Sequence, residues 1–95
     1  MDYTHLNNRA QIVQKITLIR TALKQHGYLL RKQPRQAVWI IQVSQAKRYR
    51  LTYQPSPIAA WFLHPVGGDR NRQEVLNIIQ NTLNQHSIDI PEKVL

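Results

Sequence analysis

QAVWIIQVSQAKRYRLTYQPSPIAAWFLH, residues 36–64, reads as three β-strands joined by two short connections. It contains both tryptophans, the single phenylalanine and two of the four tyrosines, together with Lys47, Arg48 and Arg50. Runs of four to eight residues rich in Val, Ile, Tyr, Phe, Trp and Thr, bounded by Ser, Pro and Gln, are the usual signature of a sheet. Ala37–Val43 is apolar on both alternating faces, with Val38 and Ile40 on one and Trp39, Ile41 and Val43 on the other. A strand of that kind is expected in the middle of a sheet, with both faces at least partly covered. Arg48–Gln54 alternates cleanly: Tyr49, Leu51 and Tyr53 point to a core, and Arg48, Arg50 and Thr52 point away from it. Pro55-Ser56-Pro57 ends this strand, since proline has no N–H to donate to a ladder. Ala59–His64 is the last strand, with Trp61 and Leu63 opposed to Ala60, Phe62 and His64.

Tyr28–Gln33 is a first strand, turned by Gln33-Pro34-Arg35-Gln36 into the second, because proline suits the second position of a turn. Before it, a helix is expected from Thr4 or Asn8 to His26. Ile12, Ile16, Ile19 and Leu23 make one apolar stripe, widened by Leu6 and Val13. Asn8 with Gln11 resembles a capping box, and Gly27 stands where a left-handed C-terminal cap would fall. Arg9, Arg20 and Lys24 group along one border of the stripe. After the strands, Asp69 is a suitable N-cap for a second helix over Arg70–His86. Its apolar face is Val75, Leu76, Ile78, Ile79, Leu83 and His86, with Asn77, Gln80, Asn81 and Asn84 facing away. Ile88 and Ile90 are expected to pin the chain to the body, and residues 91–95 to form a loose tail. The reading is therefore a two-layer α+β domain in which two helices cover one face of a three- or four-stranded antiparallel meander, in the order α-β-β-β-α.

Ninety-five residues suit a single domain, 1–95, large enough to bury its own core. The absence of cysteine excludes disulfides and cysteine-ligated zinc. The opening residues lack the pattern of a secretory signal, and no apolar run reaches the roughly 20 residues of a membrane span. The expectation is a cytoplasmic protein with no membrane association. The net charge of +8 is unevenly distributed. Asp2, Asp69, Glu74, Asp89 and Glu92 are the acidic residues, so nothing between Tyr3 and Gly68 neutralises ten lysines and arginines. Such a field attracts polyanions and speeds encounter with them.

Catalytic chemistry is poorly provided for. Ser44, Ser56 and Ser87 sit in no nucleophile motif. His5, His26, His64 and His86 make no i, i+4 metal pair. No cofactor or metal is expected. Gly67-Gly68 leads into a helix N-terminus that could attract phosphate, yet it lacks a Walker-type lysine, and Asp69 as cap occupies part of the same site. The element order is similar to that of double-stranded-RNA-binding domains and of the small RNase toxins that resemble them. The lysine-rich helix start of the former has no counterpart at Asp69–Glu74, and the Gly-Ser-His of the latter has none in Pro34–Val38. No family is assigned on element order alone. A remote alternative remains a metal-free RNase toxin built on His64 near Arg70 and Arg72.

The leading expectation is a small, basic, non-enzymatic nucleic-acid-binding protein using a positive sheet face. Arg48 and Arg50 would contact phosphates of DNA or RNA, with Lys47, Arg31, Lys32 and Arg35 around them and Arg70 and Arg72 as a second tier. Trp61, if it shares the arginine face, would supply a stacking plane. The alternative is a protein-interaction or assembly module, either a homodimer or the receptor of an acidic protein.

Overall fold

A computed structural model describes residues 3–54, 58, 60–85 and 93–95. The elements run α1 (Tyr3–Gln25), β1 (Leu29–Lys32), β2 (Val38–Gln42), β3 (Arg48–Gln54), β4 (Ala60–His64), α2 (Arg70–Gln85) and β5 (Lys93–Val94). Strands β1 to β4 form the expected antiparallel meander, and β5 adds to the free edge of β4 in parallel, giving a sheet in the order β1-β2-β3-β4-β5. Both helices pack on one face, and the other face carries no layer among the described residues. His86, Ile88, Ile90 and the Pro55-Ser56-Pro57 break lie outside the described residues, as do the side chains of His5, Leu6 and Arg9.

Alternation decides what enters the core. Leu30, Trp39, Ile41, Tyr49, Leu51, Trp61, Leu63 and Val94 all lie on the helix side and are all buried. The stripe Ile16, Ile19 and Leu23 of α1 and Val75, Ile78, Ile79 and Leu83 of α2 close over them. Burying each of these large side chains contributes about 1.5–3 kcal/mol. Trp61 is wholly buried and lies between Trp39, 5.7 Å away at 52°, and Tyr53, 4.8 Å away at 56°. Such tilted pairs suit aromatic quadrupoles. Val13 does not belong to the stripe; it is 60% exposed.

Three local signals fix the connections. Gly27 adopts φ 84°, and the N–H groups of Gly27 and Tyr28 bond the carbonyls of Lys24 and Leu23 at 2.9 Å each. This is the Schellman arrangement that the glycine foretold. Asn8 stands inside α1, which is already running from Tyr3, and not at its N-cap. Between β1 and β2, Pro34 and Arg35 are the central residues of a turn closed by Gln36 N–H to Gln33 C=O at 3.4 Å, and Arg35 takes φ 61°. A positive φ after proline is the position that glycine normally fills in a type II turn. At the start of α2, Asp69 Oδ1 accepts the Arg72 N–H at 2.7 Å, as an N-cap should.

The loose tail expected over 91–95 does not describe Lys93–Leu95. Val94 is 5% exposed, and Leu95 brackets β4 by donating to Trp61 C=O at 2.8 Å and accepting from Leu63 N–H at 2.7 Å. Gln80, expected to face away from the core, accepts the Val94 N–H through Oε1 at 3.0 Å. No described helix is long and apolar enough to cross a membrane.

Candidate nucleic-acid interface

The uncovered face of the sheet is set by the same register that builds the core. Residues directly opposite one another share a face, with Cβ atoms about 5 Å apart. Arg31, Ile40, Arg50 and His64 therefore form one cross-strand row from β1 to β4. Leu29, Gln42 and Arg48 form a row on one side of it, and Val38, Thr52 and Phe62 a row on the other. Arg31, Arg48 and Arg50 are exposed. Arg31 and Arg50 are two strands apart, about 10 Å.

A shallow concavity of about 840 Å³ opens on this face. Val38, Ile40, Arg48, Arg50, Thr52 and His64 line it, with the amides Gln33, Gln36 and Gln54 and with Pro65 at its rim. The two acidic residues whose side chains the structure describes, Asp69 and Glu74, belong to the helix layer. Among the described residues, the arginines of the open face thus have no carboxylate to neutralise them. At the β4 end, the rings of Phe62 and His64 lie nearly parallel, 22° apart with centroids 6.5 Å from each other, and both are half-buried.

The remaining sequence candidates separate from this group for identifiable reasons. Lys32 has the opposite parity from Arg31, pairs with Trp39 at the sheet edge, and donates to Gln33 C=O at 3.3 Å. Arg35 is exposed at the tip of the β1–β2 turn. Lys47 pairs with Asp69 at 3.3 Å and sits 6.0 Å from the centre of the Tyr49 ring, on the helix side. Arg70 is exposed at the start of α2.

Two candidates are corrected. Trp61 is a core residue on the far face and offers no plane to a ligand. Arg72 is 8% exposed, and its guanidinium donates through Nε to Pro65 C=O and through a terminal nitrogen to Leu63 C=O, both at 2.9 Å. It secures the edge of β4 beside β5, so it is neither a second-tier phosphate ligand nor a partner for His64. The aromatic group of the arginine face is Phe62, which sequence reasoning did not single out. The alternation of AWFLH already set it opposite Trp61.

The glycine loop is also occupied from within. Besides the Arg72 N–H, Asp69 Oδ1 accepts the Tyr49 phenol at 2.7 Å. The hydrogen bond from Tyr49, the Arg72 N–H and Lys47 hold the Asp69 carboxyl below its usual pKa. Burial first, and then the bond to Asp69, push the Tyr49 phenol up to about 12. Desolvation and the nearby Glu74 raise Tyr28 as well. No group of three or more His, Cys, Asp or Glu among the described residues could hold a metal ion.

No protein-family model, curated protein or solved structure matches this chain.

Proposed function

We propose that this protein binds nucleic acid through the open face of its sheet and does no chemistry on it, and that it works in the cytoplasm. The observation that carries this reading is the set Arg31, Arg48 and Arg50 on one uncovered face, with no carboxylate among the described residues to pair with them. Arginine's planar fork suits phosphate oxygens, and a sheet strand orders its stem better than a loop does. Lys32, Arg35 and Arg70 extend the positive field around this centre and steer encounter rather than make the core contacts. Catalysis is not part of the proposal: the neighbours of His64 on this face are Arg50, directly opposite, and Phe62.

The test is affinity for a mixed-sequence oligonucleotide across a salt series. Three phosphate contacts give a slope of log K against log salt of about −2 for a single strand and about −3 for a duplex. Absence of binding at low salt, or an affinity indifferent to salt, refutes the reading. The apolar residues of the same face, Leu29 (49% exposed), Val38, Ile40 and Phe62, favour a second reading, a protein-interaction module whose partner is acidic. Such a partner would be captured by the wild type and released by the same arginine substitutions, with no oligonucleotide binding at any salt.

A further inference from the structure

We infer that the open face is built for an unpaired strand of nucleic acid, with bases seated at the Phe62–His64 end and the backbone following the arginines. This rests on the nucleic-acid reading above and goes beyond it by naming the form of the ligand. Three observations point the same way. First, Phe62 and His64 present nearly parallel rings on the side of β4 that faces no helix. An aromatic ring on a sheet can meet the flat of a base only where that base has left its stack, because a duplex shows its base edges and hides its planes.

Second, Arg50 is directly opposite His64, and Arg31 continues the row across β2. Arg50 thus lies one strand spacing, about 5 Å, from His64, and Arg31 lies two spacings, about 10 Å, beyond Arg50. A single strand offers phosphates and bases side by side over that interval. Third, the concavity lined by Arg48, Arg50 and His64, which Phe62 and Arg31 do not line, also presents uncharged groups, Gln36, Gln54 and Thr52. Amide and hydroxyl groups match the donor and acceptor edges of exposed bases, whereas a phosphate-only surface would call for more cations. DNA and RNA share this chemistry, and Phe62 distinguishes neither.

The experiment compares fluorescence anisotropy of three labelled probes of equal length and at equal salt: a mixed-sequence single strand, the blunt duplex of that sequence, and an abasic sugar-phosphate strand. DNA and RNA versions of the single strand form two further arms. Wild type, Phe62→Leu, His64→Ala and Arg50→Ala are measured after a circular-dichroism melt shows each to be folded. The wild type is expected to prefer the single strand over the duplex and over the abasic strand. Phe62→Leu and His64→Ala should each weaken the base-bearing single strand about fivefold or more, the low end of one lost stacking contact, while leaving the abasic strand unchanged. Arg50→Ala should weaken all three probes. A duplex bound as tightly as the single strand overturns this inference and leaves the broader reading standing. So do folded Phe62→Leu and His64→Ala variants that bind the single strand like wild type. Failure of every probe to bind overturns both.

Discussion

Replacing Arg72 with methionine separates structure from binding at a position where charge alone suggested a ligand contact. The side chain is 8% exposed, and its two bonds, each 2.9 Å, end on the carbonyls of Leu63 and Pro65. Leu95 takes up Trp61 C=O and Leu63 N–H on the same edge of β4, so the guanidinium continues that edge where β5 leaves off. Methionine keeps most of the stem's packing and removes the donors. A hydrogen bond to a charged group contributes about 1.5–3 kcal/mol, and a buried carbonyl left without a partner costs about 1–3 kcal/mol. Pro65 is exposed, so water can replace the donor there, whereas the bond to Leu63 is buried. The expected loss is therefore about 3 kcal/mol, dominated by Leu63. For a domain of this size that is a fall in Tm of about 12–24 °C. Urea unfolding and a thermal melt, with Arg70→Met as the exposed neighbour, make the measurement. Arg70→Met should lie within about 0.5 kcal/mol of wild type. Once folded, Arg72→Met should bind oligonucleotides as wild type does. If Arg72→Met is as stable as Arg70→Met, or if it stays folded and loses affinity, the structural assignment of Arg72 is refuted.

Arg50→Ala should stay within about 1 kcal/mol of wild-type stability, as exposed positions do, and should weaken nucleic-acid binding with a salt slope shallower by about one unit. An unfolded variant with unchanged affinity would mean that Arg50 supports the sheet instead. Tyr49 has a phenol raised from 10.0 to about 12, so the unfolded chain loses its proton first as pH rises. The stabilisation is therefore full below pH 10 and is lost between about pH 10 and 12. Urea titrations should show a smaller alkaline loss in Tyr49→Phe than in wild type, and equal losses would refute the assignment. Arg35→Gly should stabilise the fold by up to about 1 kcal/mol, because glycine accepts the positive φ that costs an L-residue roughly that much. A destabilised glycine variant would show that the arginine side chain holds the turn.

Much of this fold can be read from local chemistry. The strand Arg48–Gln54 falls where its alternation puts it, Gly27 and Asp69 cap the helices as their residue types require, and the Ile16–Ile19–Leu23 stripe packs. What escaped reading depends on contacts distant in sequence. Strand β5 has two residues, too few to show a period, and exists because Val94 finds a place beside Trp61 and Gln80. Arg72 looks like any basic residue in a first turn until the carbonyls of Leu63 and Pro65 are brought beside it. The role of Trp61 turned on register. Alternation fixed it with Leu63 and against Phe62, but only the pairing Tyr53↔Trp61 says that this set joins the core. A slip of one residue would have put Trp61 on the face of Arg50 and turned Phe62 to the core.

The charge of the open face also bears on what can cover it. A two-fold dimer through this face would bring Arg31, Arg48 and Arg50 of one copy against the same patch of the other. No described carboxylate lies there to separate them, and removing unpaired charges from water costs several kcal/mol each. The apolar residues that would drive such a dimer, Leu29, Val38, Ile40 and Phe62, are interleaved with those arginines by the sheet itself. Burying one set therefore means burying the other. On the helix side the balance is different: Asp69 is met by Lys47 at 3.3 Å, and Glu74 lies 4.0 Å from the His26 ring. Among the described residues, the carboxylates thus lie in the helix layer, and the arginines of the sheet face have none beside them. On the nucleic-acid reading proposed above, a ligand carrying its own negative charge and its own flat apolar surfaces satisfies both sets at once.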